Sequence, residues 1–131
     1  MRDLWLADEA MAGIPLEVDT EKFMKTTNTR EIKIYIAGDL ATIEHNCRRF
    51  CIVGLCVTVT PTRFIFTGGA EDGACIGLIN YARFPTEKDS LDLKALVLAE
   101  TLLKECCQRS CSIVTPEETH YLENPDITIP K

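Results

Sequence analysis

From Glu31 to Ala37 the chain alternates without a break: Ile32, Ile34 and Ile36 share one face, Lys33 and Tyr35 the other. A period of two marks a strand buried on one side. Gly38-Asp39 ends the run, and Asp39 is a residue type that caps a helix N-terminus. The period then switches. Leu40, Ile43, Cys47, Phe50 and Cys51 recur at helical spacing as one apolar stripe, and Gly54 closes it. A half-buried strand that feeds directly into an amphipathic helix must join a sheet whose buried face the helix covers.

The remaining segments supply that sheet. Leu55 to Thr60 alternates again, and Pro61, which cannot donate a ladder hydrogen bond, marks a bend, a bulge or an edge. Arg63 to Thr67 resumes as a strand, Gly68 to Gly73 reads as a glycine-rich hairpin loop, and Ala74 to Ala82 reads as the next strand. A second helix is expected over 86–107. Thr86 and Asp89 form its capping box, and Leu91, Ala95, Leu98, Leu102 and Cys106 form its stripe, widened by Leu96, Ala99, Leu103 and Cys107. Cys111 to Thr115 is a last strand, stopped by Pro116. The order is that of an α+β, ferredoxin-like β-α-β-β-α-β sandwich, an antiparallel sheet with two helices on one face. Residues 1–30 read as an N-terminal arm with a short helix near Leu4 to Met11 and isolated anchors at Trp5, Met11 and Phe23. Residues 31–122 form the single domain, and 123–131 an extended C-terminal tail.

Composition narrows the functions. The chain has 131 residues, 46% of them hydrophobic, which suits one domain with a real core. Its net charge of −6 excludes a broad basic footprint for DNA or RNA and disfavours anionic membranes. No apolar run reaches the roughly 20 residues of a membrane span. Seven cysteines, an odd number without a signal-like N-terminus, are expected to be free thiols in a reducing cytoplasm.

Metal and thiol chemistry find little support. Cys47 and Cys51 share a helical face, but that face is the apolar stripe, and no C-x-x-C pair accompanies it. His45 lies about 200° around the helix from Cys47, so the two cannot pair there. Among the thiols, Cys56 and Cys75 look least like core residues and are the candidates for a cysteine-dependent enzyme. The glycine loop matches no phosphate-binding fingerprint, and Glu71 and Asp72 would repel phosphate. No cofactor is called for.

The segment with the densest polar chemistry is the exit of the strand at 74–82. Asn80, Tyr81, Arg83 and Phe84 fall within five residues. An aromatic face beside an arginine suits a base and its phosphate. Asn80, Arg83, Phe84 and Arg109 are therefore the candidate ligand contacts, with Arg48 and Arg49 next, for a small anionic or nucleotide ligand. The bland alternative is that Asn80 satisfies backbone groups and the arginines pair with acids.

The run Gly77-Leu78-Ile79-Asn80-Tyr81-Ala82-Arg83-Phe84-Pro85, with the hairpin before it and Arg109-Ser110 after the second helix, resembles small proteins carried by bacteriophages. It is similar to the Thoeris anti-defence family, oligomeric sponges that sequester cyclic nucleotide signals without cleaving them. That resemblance implies a homo-oligomer with a nucleotide pocket between subunits. The expectation is a non-catalytic binding protein. The alternatives are a small cysteine-dependent enzyme and a structural or protein-interaction subunit.

Overall fold

The structure is a computed structural model and describes residues 20–127. The elements are α1 (Thr20–Phe23), β1 (Glu31–Ala37), α2 (Leu40–Phe50) continued by a 3-10 turn at Cys51–Val53, β2 (Thr58–Phe66), β3 (Gly69–Ile79), α3 (Lys88–Glu105), β4 (Ser110–Val114) and β5 (Thr119–Glu123). The short helix expected near Leu4 to Met11, with Trp5, lies outside the described residues.

The strands form one antiparallel sheet in the order β2-β3-β1-β4-β5. This is the expected ferredoxin-like arrangement with one further strand on its edge. Ile32, Ile34 and Ile36 turn inward and meet Ile43 and Cys47 of α2 and Leu91, Ala95, Leu98 and Leu102 of α3 in a single core. Each fully buried isoleucine or leucine among them contributes roughly 1.5–3 kcal/mol. Both helices cover this face. The other face, with Lys33, Tyr35, Thr58, Thr60, Cys75, Ile79, Ser112 and Tyr121 in register, carries no helix among the described residues.

Four local expectations are corrected. Of the readings of Pro61, the edge holds: β2 is an edge strand, but it is not split there, running through Pro61 and pairing it with Ala74. A missing N–H on its outer side removes no ladder bond. The hairpin turn shrinks to Thr67-Gly68, with Gly68 at φ 87, and Gly69 to Gly73 belong to β3. β3 accordingly ends at Ile79 instead of Ala82. The capping box of the second helix does not form: its N-cap is Glu87, with no side-chain bond.

β5 was not foreseen, because Leu122 is its one aliphatic residue. A turn builds it. Thr115 N–H donates to the Glu118 carbonyl at 2.9 Å, and Glu118 N–H donates to Thr115 Oγ1 at 3.1 Å. Asn124 then pins its end, donating from Nδ2 to the carbonyls of Leu103 and Gln108 at 3.0 and 3.1 Å.

Candidate functional site

The last rung between β1 and β3 is Ala37 with Gly73, yet β2 and β3 pair on as far as Phe66 with Gly69. A two-stranded ribbon therefore extends past the end of the sheet, beside the point where β1 turns into α2. Gly38 makes that turn at φ 139, a conformation that favours glycine, and its N–H donates to the Asp72 carbonyl at 2.8 Å. Gly73 allows the close approach: a Cβ there would run into the Ile36 carbonyl. Asp39 caps α2, its Oδ2 accepting from Thr42 N–H at 3.0 Å, as expected from the sequence.

The space between ribbon and helix start is a cleft of about 690 Å³. Gly38, Asp39, Leu40, Pro61, Thr62, Arg63, Glu71, Asp72, Gly73 and Gln108 line it. Its size falls within the range of small-molecule sites. Arg63 and Asp72 are paired by register, and Arg63 Nη1 donates to Asp72 Oδ1 at 2.7 Å. The Glu71 carboxylate makes no bond among the described residues. Gln108 is brought in by the end of α3: Cys107 takes the left-handed φ of 52, and Gln108 N–H donates back to the Leu103 carbonyl at 3.0 Å. Asp39, Asp72 and Arg63 line this cleft from the helix side, while Glu71, paired with Phe64, alternates onto the ribbon's other face and borders the cleft at its rim; the acids outnumber the single guanidinium, which suits a ligand with positive charge.

The residues singled out from the sequence are placed elsewhere. Asn80 holds the chain ahead of β1: Nδ2 donates to Thr27 Oγ1 at 3.1 Å and the Asn28 carbonyl at 2.8 Å, while Oδ1 accepts from Thr86 N–H at 2.8 Å. Phe84 packs on Tyr81 with ring centroids 5.3 Å apart, and Arg83 beside it is exposed. Arg109 precedes β4 at the opposite end of the sheet. Cys111 pairs with Ile36 near the end of β1, whereas Ile79 pairs with Glu31 at its beginning. Arg48 and Arg49 are exposed on the last turn of α2. Asn80, Arg83 and Phe84 thus share one loop, and Arg109 does not join them.

Two further hollows meet at Arg30. One, about 490 Å³, is lined by Thr27, Asn28, Thr29, Asn80 and Thr86 among others. The other, about 540 Å³, lies between α3 and β5, with Leu93, Leu96, His120, Tyr121 and Leu122 on its wall. Arg30 is buried and bonds Asp92 and Glu117, so its guanidinium is already largely occupied.

All seven cysteines are free thiols. Burial pushes Cys47 up to about 12 and Cys111 up to about 11, far from thiolate formation. Cys56 Sγ lies 3.6 Å from Tyr81 Oη, and this contact together with burial raises the Tyr81 phenol. Among the described residues neither Cys56 nor Cys75 bonds a histidine or a cation, and no cluster of three His, Cys, Asp or Glu is arranged to hold a metal. No described helix is long and apolar enough to cross a membrane.

Glu71 and Asp72 oppose phosphate. The same charges favour a cation. Arg63, Asp39 and Gln108 had no local signal, since they are distant in sequence and meet through β-pairing and the end of α3.

No protein-family model matches the sequence, and no curated protein matches it. The fold is similar to that of a phage SAM lyase in complex with S-methyl-5'-thioadenosine, with TM-score 0.60 and 12% sequence identity, covering 76% of this chain and 92% of that one. A phage SAM lyase in the apo state also matches, with TM-score 0.60 and 15% identity, covering 73% and 90%. The neighbours are phage proteins that bind a small molecule, but they are lyases and not the Thoeris sponges. This comparison corrects the expectation of a non-catalytic sequestering protein. The two solved structures with this fold are of lyases, and the arginines expected at the ligand do not converge.

Proposed function

We propose that this chain is a phage-encoded small-molecule lyase of the host cytoplasm that takes S-adenosylmethionine apart, releasing a thioether such as S-methyl-5'-thioadenosine. The observation that carries this reading is the fold shared with the phage SAM lyases over about nine-tenths of their length. The acidic cleft beside the ribbon supports it, because the substrate carries a positively charged sulfonium.

The chemistry limits what the cleft residues do. When the bond from sulfur to the methionyl γ-carbon breaks, its electron pair goes to sulfur, and the positive charge there disappears. Carboxylates that merely face the sulfonium therefore stabilise substrate more than transition state. Their useful work is to hold the methionyl chain in a reactive shape, or to accept a proton. The four-carbon fragment balances the lost bond in one of two ways. Its own carboxylate closes on the γ-carbon, or a base removes a β-proton to leave an alkene. Glu71, at the rim of the cleft and without a bond among the described residues, is the side chain free to reach over the edge and serve either purpose.

The test is incubation of the purified protein with S-adenosylmethionine and chromatographic assay of thioether release. Release well above spontaneous breakdown, lost in Glu71→Ala, is the expected result. Intact substrate after prolonged incubation with excess folded protein would overturn the proposal. Glu71→Gln separates the two routes: a base is lost with the charge, whereas a positioning residue retains part of its rate through hydrogen bonding.

A further inference from the structure

Arg63 and Asp72 face the helix side of the sheet, on the rung beyond Pro61 and Ala74, whose β1 neighbour is the core residue Ile36. They look toward the start of α2. Arg63 uses one donor on Asp72, and the rest of its fork has no partner among the described residues. Asp39 satisfies the Thr42 amide and, through its carbonyl, that of Ile43. The first two amides of α2, at Leu40 and Ala41, keep no intrahelical partner. One wall of the cleft thus offers donors suited to a carboxylate, and the Asp39 and Asp72 carboxylates, close by, suit an ammonium group.

We propose that this cleft recognises the free α-amino-acid end of its substrate, with the α-carboxylate on Arg63 and the start of α2 and the α-ammonium on Asp72 and Asp39. The inference rests on the reading of the chain as a lyase for S-adenosylmethionine. It adds that the enzyme selects substrates by an intact amino-acid group, and that Arg63 is the residue that reads it. The released thioether lacks that group, so it keeps none of these contacts and leaves readily.

The test compares the KM for S-adenosylmethionine with the inhibition constant of its decarboxylated analogue. Arg63 is exposed, so its replacement leaves the core untouched, and circular dichroism verifies the fold of each variant. Arg63→Ala is expected to raise KM about tenfold, the loss of one charge-assisted contact, and to leave the analogue's inhibition constant unchanged. Arg63→Lys should recover part of the loss. If the two constants move together, or neither moves, the assignment of Arg63 is overturned while the lyase reading stands. If the wild-type protein releases no thioether at all, the lyase reading fails and takes this inference with it.

Discussion

Arg30 and Asp92 meet in a two-point contact, Nε to Oδ1 at 2.7 Å and Nη2 to Oδ2 at 3.0 Å. Arg30 also donates to both oxygens of Glu117, at 3.0 and 2.8 Å. The residue before β1 is thereby tied to α3 and to the turn between β4 and β5. Removing one partner of such a pair strands the other charge. Arg30→Met is expected to lower stability by about 2–3 kcal/mol in urea unfolding, less than for a fully buried pair because Asp92 is partly solvated. A loss below about 0.5 kcal/mol, within the range of ordinary surface changes, would count against this role for Arg30.

The same contacts set an acid limit. Burial pushes the Asp92 carboxyl up, but hydrogen bonds from Arg30 and Lys88 outweigh it and hold it below its ordinary 3.8. The Arg30 bonds hold Glu117 below its ordinary 4.5. Carboxyls depressed in the folded state contribute stability above their unfolded values and lose it as pH falls through the folded ones. Stability should therefore drop below about pH 4 to 4.5, and the drop should be shallower in Arg30→Met. Parallel pH profiles for the two proteins would rule the pair out as the cause.

Asn80 has both amide hydrogens and its oxygen engaged in fixing residues 27–28 and Thr86. Asn80→Ala is expected to destabilise the fold by about 1–3 kcal/mol, the cost of part-buried groups left unpaired. KM for S-adenosylmethionine should stay within about twofold, a shift well under the tenfold that 1.4 kcal/mol of lost binding would give. A large KM change at constant stability would return Asn80 to the ligand contacts.

The thiols should separate by burial. Cys56 and Cys107 are exposed, while Cys47 and Cys111 are buried and held well above the usual thiol range. Alkylation of the native protein followed by peptide mass spectrometry should mark the first two rapidly and the second two after unfolding. Thioether release should survive Cys56→Ser and Cys75→Ser. Loss of activity in either would restore a cysteine-dependent mechanism.

Assembly into a homo-oligomer is expected. Ile65 and Phe66 at the tip of the ribbon are 80% and 54% exposed, and Tyr35, Ile79 and Tyr121 lie on the sheet face that no described helix covers. Burial of these groups against a second copy would remove apolar surface from water at roughly 25 cal/mol per Å². Light scattering should give a multiple of 14.7 kDa, and Ile65→Asp with Phe66→Asp should lower it. A wild-type mass of one chain would refute the expectation.

The local periods of the sequence determined most of the architecture. The alternation at Glu31–Ala37 and the stripe from Leu40 to Phe50 appear at those bounds, with Asp39 capping as its chemistry dictates. These features are legible because each is an agreement between neighbours within a few residues. β5 was not legible, since its edge position asks for little apolar content and its start depends on one hydroxyl, that of Thr115. The cleft was even less so. Arg63 and Asp72 share a rung because β2 and β3 register through Pro61, and Asp39 and Gln108 arrive from the ends of β1 and α3. A dense polar run such as Asn80 to Phe84 draws the eye in a sequence. The fold spends Asn80 on its own backbone and sets Arg109 at the other end of the sheet. Which charged groups converge is decided by pairing across strands, and a one-dimensional pattern carries no record of it.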